Sequence, residues 1–138
     1  MRKKIIIGIL LLFLVIGTAA AVNINDLKVP VGYNEETEGY YYLNTDEDTH
    51  LYIGELSLNE GVFENDTGYA VYSIGDKLYA FEDTAIQSYG IQEKVKINGE
   101  DYLVSIDKTT PLDNVDKTMF KEDLQTFNKL NNLEPIEL

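Results

Sequence analysis

Apolar and polar residues alternate most regularly between Lys94 and Ile106, on either side of Asn98-Gly99. Alternation of period two marks strands with one buried face, and Asn-Gly between two such runs is the strongest short hairpin signal. Counting outward from a type I′ turn pairs Ile97 with Glu100, Lys96 with Asp101 and Val95 with Tyr102. Val95, Ile97, Tyr102, Val104 and Ile106 then share one side, and Lys96 and Asp101 form an opposite-charge pair on the other. A second hairpin is expected over Tyr69 to Phe81. Gly75-Asp76 there suits a type II′ turn, which would align Ala70, Tyr72, Ile74, Tyr79 and Phe81. Leu51 to Leu58 and Tyr40 to Leu43 read as further strands. Leu27 to Val31 reads as an opening strand that Pro30 confines to an edge or a bulge.

Toward the C-terminus the period changes. Val115, Met119, Phe120, Leu124, Phe127 and Leu130 follow the three-four spacing of one helical stripe. Asp113 or Asn114 can cap this helix, Lys129 favours its last turn, and Asn131-Asn132 followed by Pro135 mark its stop. A shorter helix is compatible with Thr84 to Tyr89, closed by Gly90. Strands followed by one amphipathic helix predict an α+β domain: an antiparallel sheet of about five to seven strands with the C-terminal helix packed on it.

The N-terminal pattern is of another kind. Arg2, Lys3 and Lys4 precede an apolar run from Ile5 to Ile16, and Ala19-Ala20-Ala21 follows. A basic end, an apolar stretch and small residues at the cleavage step are the parts of a secretory signal peptide. Ile5 to Val22 is also charge-free and at the lower edge of what spans ~30 Å of hydrocarbon. Residues 1–21 are therefore expected to be a signal peptide or, if kept, a membrane anchor, and residues 22–138 a single acidic domain. Both readings place that domain outside the cell, secreted or at its surface.

Composition sharpens this picture. Without Arg2, Lys3 and Lys4 the formal charge moves from −13 to −16, with eight lysines, no arginine and 24 acids. Such a field repels nucleic acid, and the usual bidentate phosphate reader is missing. The absence of cysteine excludes thiol catalysis, thiolate-bound metals and stabilising disulfides, so packing and hydrogen bonds must hold the domain.

Leu27-Lys-Val-Pro-Val-Gly-Tyr33, Phe63-Glu-Asn-Asp-Thr67, Asn98-Gly-Glu-Asp-Tyr-Leu-Val104 and Phe127-Asn-Lys-Leu-Asn-Asn-Leu-Glu-Pro135 resemble segments of small secreted proteins of methanogenic archaea. The resemblance would cover most of the domain. It implies export and lineage, and no functional residue can be carried over from it.

The candidate chemistry is sparse. His50 is the only histidine, no Gly-x-Ser-x-Gly elbow accompanies it, and one imidazole cannot build the common zinc sites. Carboxylate pairs abound, but nothing in their linear arrangement separates a catalytic pair from a solvated loop. No resident cofactor is expected. The weak alternative is Ca²⁺, because Asn44 to Thr49 crowds three carboxylates among amide and hydroxyl oxygens, with Asp46 and Asp48 as ligands. Asn65-Asp-Thr67 is a glycosylation sequon that Gly68 places in a turn. In Tyr40-Tyr41-Tyr42, alternation sets Tyr41 opposite to Tyr40 and Tyr42, so at least one ring is exposed and suited to binding unless a sheet and a helix cover the strand on both faces. These features predict a non-enzymatic accessory or binding module of the cell envelope, facing a protein or wall component through Tyr40 and Tyr42. A membrane would be met only through an uncleaved N-terminus. The alternative is a small envelope enzyme or enzyme inhibitor with a site of carboxylates and tyrosines.

Overall fold

The computed structural model describes residues 24–110 and 117–137. The N-terminal segment, Val115 and the expected helix caps Asp113 and Asn114 lie outside these residues. Seven strands form one antiparallel sheet: β1 (Tyr33–Thr37), β2 (Tyr40–Leu43), β3 (Asp46–Glu55), β4 (Tyr69–Gly75), β5 (Leu78–Asp83), β6 (Ser88–Ile97) and β7 (Glu100–Thr109). One helix, α1 (Lys117–Leu130), follows. The spatial order is β1-β2-β3-β7-β6-β5-β4, so only β3 and β7 are neighbours in space without being neighbours in the chain.

The β6–β7 hairpin has the expected register, with Ile97 opposite Glu100, Lys96 opposite Asp101 and Val95 opposite Tyr102. Asn98 and Gly99 both take positive φ, 52° and 84°, as a type I′ turn requires. Lys96 Nζ reaches Asp101 Oδ1 at 2.8 Å. Register then carries one apolar row across the sheet, through Leu51, Ile106, Ile91 and Ala80. Helix α1 closes over that face with Phe120, Leu124 and Phe127, all fully buried. Leu130, expected on the same stripe, is instead 40% exposed at the helix end. There Asn132 adopts φ 57°, Leu133 N–H donates to Asn128 O at 2.8 Å and Asn132 N–H to Lys129 O at 3.3 Å. These bonds form a Schellman cap with asparagine in the glycine position.

Four expectations are corrected. Leu27 to Val31 is not a strand: it follows a 3₁₀ turn (Ile24–Asp26), and Lys28 is held by the Asn131 side chain, which accepts from its N–H (2.9 Å) and donates to its carbonyl (2.7 Å). Pro30 cannot donate to a ladder, and Leu27 and Val29 pack against the core from this strap. Residues 84–89 form no helix. Asp83 Oδ1 accepts from Ala85 N–H and organises a turn, and Ser88 and Tyr89 already belong to β6. Strand β3 ends at Glu55, and Leu56–Leu58 and Glu60–Phe63 are short 3₁₀ turns. In the β4–β5 hairpin the turn falls one residue later than expected. Gly75 pairs with Leu78, Lys77 takes φ 58°, and the register shifts between Ser73 and Gly75. Tyr79 and Phe81 therefore align with Ser73 and Val71, because a one-residue slip changes face.

The face opposite α1 is unevenly covered. Over β4 to β6 the 3₁₀ turns cap it: Val62 O accepts from Tyr69 Oη (2.7 Å) and Gln92 Nε2 (2.8 Å), and Phe63 meets Tyr79 edge-on. Over β2 and β3 the side chains stay half-exposed.

Candidate functional site

The uncovered part of the outer face carries Tyr40 and Tyr42 from β2, His50 and Tyr52 from β3 and Asp107 from β7. Cross-strand pairing explains the grouping: Tyr40 faces Tyr52, Tyr42 faces His50, and His50 faces Asp107. Tyr41 points the other way, opposite Leu51, and is buried at 5% exposure. Alternation thus divides the Tyr triplet into one core ring and two half-exposed rings. The Tyr40 ring centroid lies 5.3 Å from His50 and 6.5 Å from Tyr52, spacings at which tilted aromatic pairs attract. Tyr52 lies flat along its own strand, where a Cβ on Gly54 would fall 2.3 Å from its hydroxyl. Gly54 therefore makes the room that keeps this ring on the surface.

The polar side of the patch is centred on Asp107. His50 Nδ1 lies 3.9 Å from its Oδ1, and buried Ser88 donates to its Oδ2 at 3.2 Å. Burial pushes the Asp107 carboxyl above its usual range, while His50 and Ser88 hold it partly down. Burial, followed by the charges of Asp107 and Glu36, raises the Tyr40 phenol. Serine, histidine and aspartate meet here in an order that does not support acyl transfer. A hydrolytic triad needs the hydroxyl on the imidazole, whereas the Ser88 hydroxyl donates its hydrogen bond to the carboxylate. What the arrangement offers is an aromatic surface with phenolic donors, an imidazole and one half-buried carboxylate.

The other expected sites lie elsewhere. Asp46 binds the Lys108 ammonium and also accepts from Asp48 N–H at 3.2 Å. That Lys108 bond is the first cause holding its carboxyl below the ordinary range. Asp48 is exposed. Among the described residues no three His, Cys, Asp or Glu side chains are grouped as a metal site. Asn65 is exposed beside the Asp66–Tyr69 bridge, with its Oδ1 accepting from Val71 N–H at 2.9 Å and Gly68 at φ 78°. The sequon thus sits in an exposed turn.

Sequence reasoning missed Glu93. It is 4% exposed, on the helix-facing side of β6, and accepts from Asn128 Nδ2 at 2.9 Å. Burial pushes its carboxyl from the ordinary 4.5 up to about 7, against the lowering effect of Asn128. A signal was present: the inward alternation of Ile97 and Val95 extends back through Glu93 to Ile91 and Tyr89. The alternating run was counted only from Lys94, one residue short of Glu93.

Comparison with known protein families, curated proteins and solved structures gives no match to this chain.

Proposed function

We propose that this is an exported, non-enzymatic binding module of the cell envelope, whose contact surface is the Tyr40–Tyr42–His50–Tyr52 face. The observation that carries the reading is the pair of half-exposed rings, Tyr40 and Tyr42, on one side of a strand paired along both edges. Rings mounted on a sheet lose little conformational freedom on binding, and tyrosine supplies both apolar area and a hydrogen-bonding tip. The N-terminal basic-apolar-Ala-x-Ala pattern supports export, and among the described residues no helix is long and apolar enough to cross a membrane. The partner is an envelope protein or wall component, not nucleic acid, given the acidic chain. Calcium at Asp46 and Asp48 remains a secondary proposal, tested by whether millimolar Ca²⁺ raises the melting temperature.

The test is capture from a native envelope extract with the full chain and with the Tyr40→Ala/Tyr42→Ala double variant. A component retained by the wild type and released by the variant, at unchanged circular dichroism, is the expected result. Equal retention by both, or none at any ionic strength, would overturn the proposal.

A further inference from the structure

We infer that the cavity bounded by the β4–β5 turn, the end of β6 and the C-terminal segment binds a primary alkylammonium group, with Glu93 as its anion. The cavity has a volume of about 340 Å³, within the range of small-molecule sites. Asp76 and Lys77 line it from the turn, Glu93 and its neighbours from β6, and Asn132 to Ile136 from the C-terminal segment. It lies on the helix side of the sheet at β5 and β6, away from the tyrosine face, and the inference does not depend on that face.

At Glu93 no donor reaches the second carboxylate oxygen. Asn128 spends both amide protons, one on Glu93 Oε1 (2.9 Å) and one on Glu134 O (3.0 Å). Two buried acceptors, Glu93 Oε2 and Asn128 Oδ1, are left without a partner. A buried acceptor without a donor costs ~1–3 kcal/mol, and an ionised one more. Of the two residues, Glu93 lines the cavity, and an ammonium group, with three donors and one positive charge, answers both its missing hydrogen bond and its charge. A guanidinium fits less well: its fork needs both carboxylate oxygens, and Oε1 is already engaged by Asn128. The apolar wall, with Val95, Leu133 and Ile136, suits the methylene chain behind the charge.

The surrounding charges agree. Lys94 and Lys96 contribute to the wall, but their ammonium groups are elsewhere. Lys94 Nζ lies over the Phe63 and Tyr79 rings, at 4.5 and 5.3 Å, and Lys96 Nζ is on Asp101. That leaves Asp76, Lys77 and Glu134 as the charged groups around Glu93, an excess of one negative charge. α1 faces Glu93 with the uncharged Asn128, and Val104 and Leu78 flank it on β7 and β5. Since the raised Glu93 carboxyl is neutral below about pH 7, affinity should climb up to ~tenfold per pH unit toward neutrality and flatten above it.

The chemistry has two sources, a free amine or a lysine side chain of a partner. Calorimetric titrations of the full chain with n-butylamine, Nα-acetyl-lysine amide and butan-1-ol, from pH 5.5 to 8.5, separate them. We expect saturable binding of an amine, none of the alcohol, and at least a ~tenfold loss in Glu93→Gln, with Glu47→Gln unchanged as a control for attraction to the acidic surface. By reciprocity, saturating amine should lower the Glu93 titration midpoint seen by carboxyl NMR. Tighter binding of the lysine derivative assigns the site to a protein side chain, and tighter binding of butylamine to a free amine. No saturable binding of either amine at pH 8, or equal affinity in Glu93→Gln, would overturn the inference.

Discussion

Replacing Glu93 by Gln should stabilise the domain, and by an amount that depends on pH. In the folded state the buried carboxyl keeps its proton until about pH 7, whereas the unfolded chain releases it near 4.5. Between these values the folded state binds more protons, so this group's contribution to stability falls as pH rises and is constant above about 7. At ~1.4 kcal/mol per pH unit over this interval, the loss amounts to about 3 kcal/mol. Glutamine cannot ionise. Its side-chain oxygen can still accept from Asn128 Nδ2. Urea unfolding of both proteins from pH 4 to 8, without added amine, reads the difference directly. The other acids are common to both chains and cancel. The variant should gain progressively from pH 4.5 to 7 and then hold a constant advantage of up to ~3 kcal/mol. Parallel stability curves across the whole range would refute the reasoning, because they would mean that Glu93 titrates alike in both states.

Three further substitutions probe the frame around the two sites. Phe127→Ala removes a fully buried ring between α1 and the sheet and should cost ~3–5 kcal/mol in chemical denaturation. Gly90→Ala places a Cβ 2.5 Å from Ile106 O and 2.6 Å from Phe81 Cζ, and the melting temperature should fall sharply, by about 5 °C or more, since backbone and a packed ring must both yield. Tyr33→Phe deletes the 2.8 Å bond from the phenol to Asp123 Oδ2 that ties β1 to α1, and should cost about 1–2 kcal/mol. It should also remove a phenol whose ionisation burial, first, and Asp123, second, push far up, seen as a lost late step in ultraviolet titration to high pH.

Much of this architecture was legible because its signals are short-ranged. The Asn98-Gly99 turn sets a register that the next three residue pairs confirm, and the stripe of Phe120, Leu124 and Phe127 needs only helical periodicity. The separation of Tyr41 from Tyr40 and Tyr42 follows from the pleat alone. Legibility failed where a local preference competed with packing. Gly75 suited the first position of a turn, yet burying Leu78 and Ala80 moved the turn to leave Lys77 at positive φ. Leu27 to Val29 had a strand's composition, but no strand edge met it, and Asn131 took its backbone groups instead.

The sequence by itself determined the α+β class, the strongest hairpin, the position of the helix and the pairing of Tyr40 with Tyr42 on one face. Each depends on residues within a few positions of one another, where chain geometry dictates which side chains share a side. Only the tertiary structure decided the order β1-β2-β3-β7-β6-β5-β4 and therefore which distant residues meet. Pairing β3 with β7 brings Asp107 beside His50, and docking α1 carries Asn128 onto Glu93. Those encounters arise from closing one apolar face across long loops of chain. Alternation alone sets Glu93 on the inward side of its strand, but only the closed face buries it and gives it Asn128 as a partner.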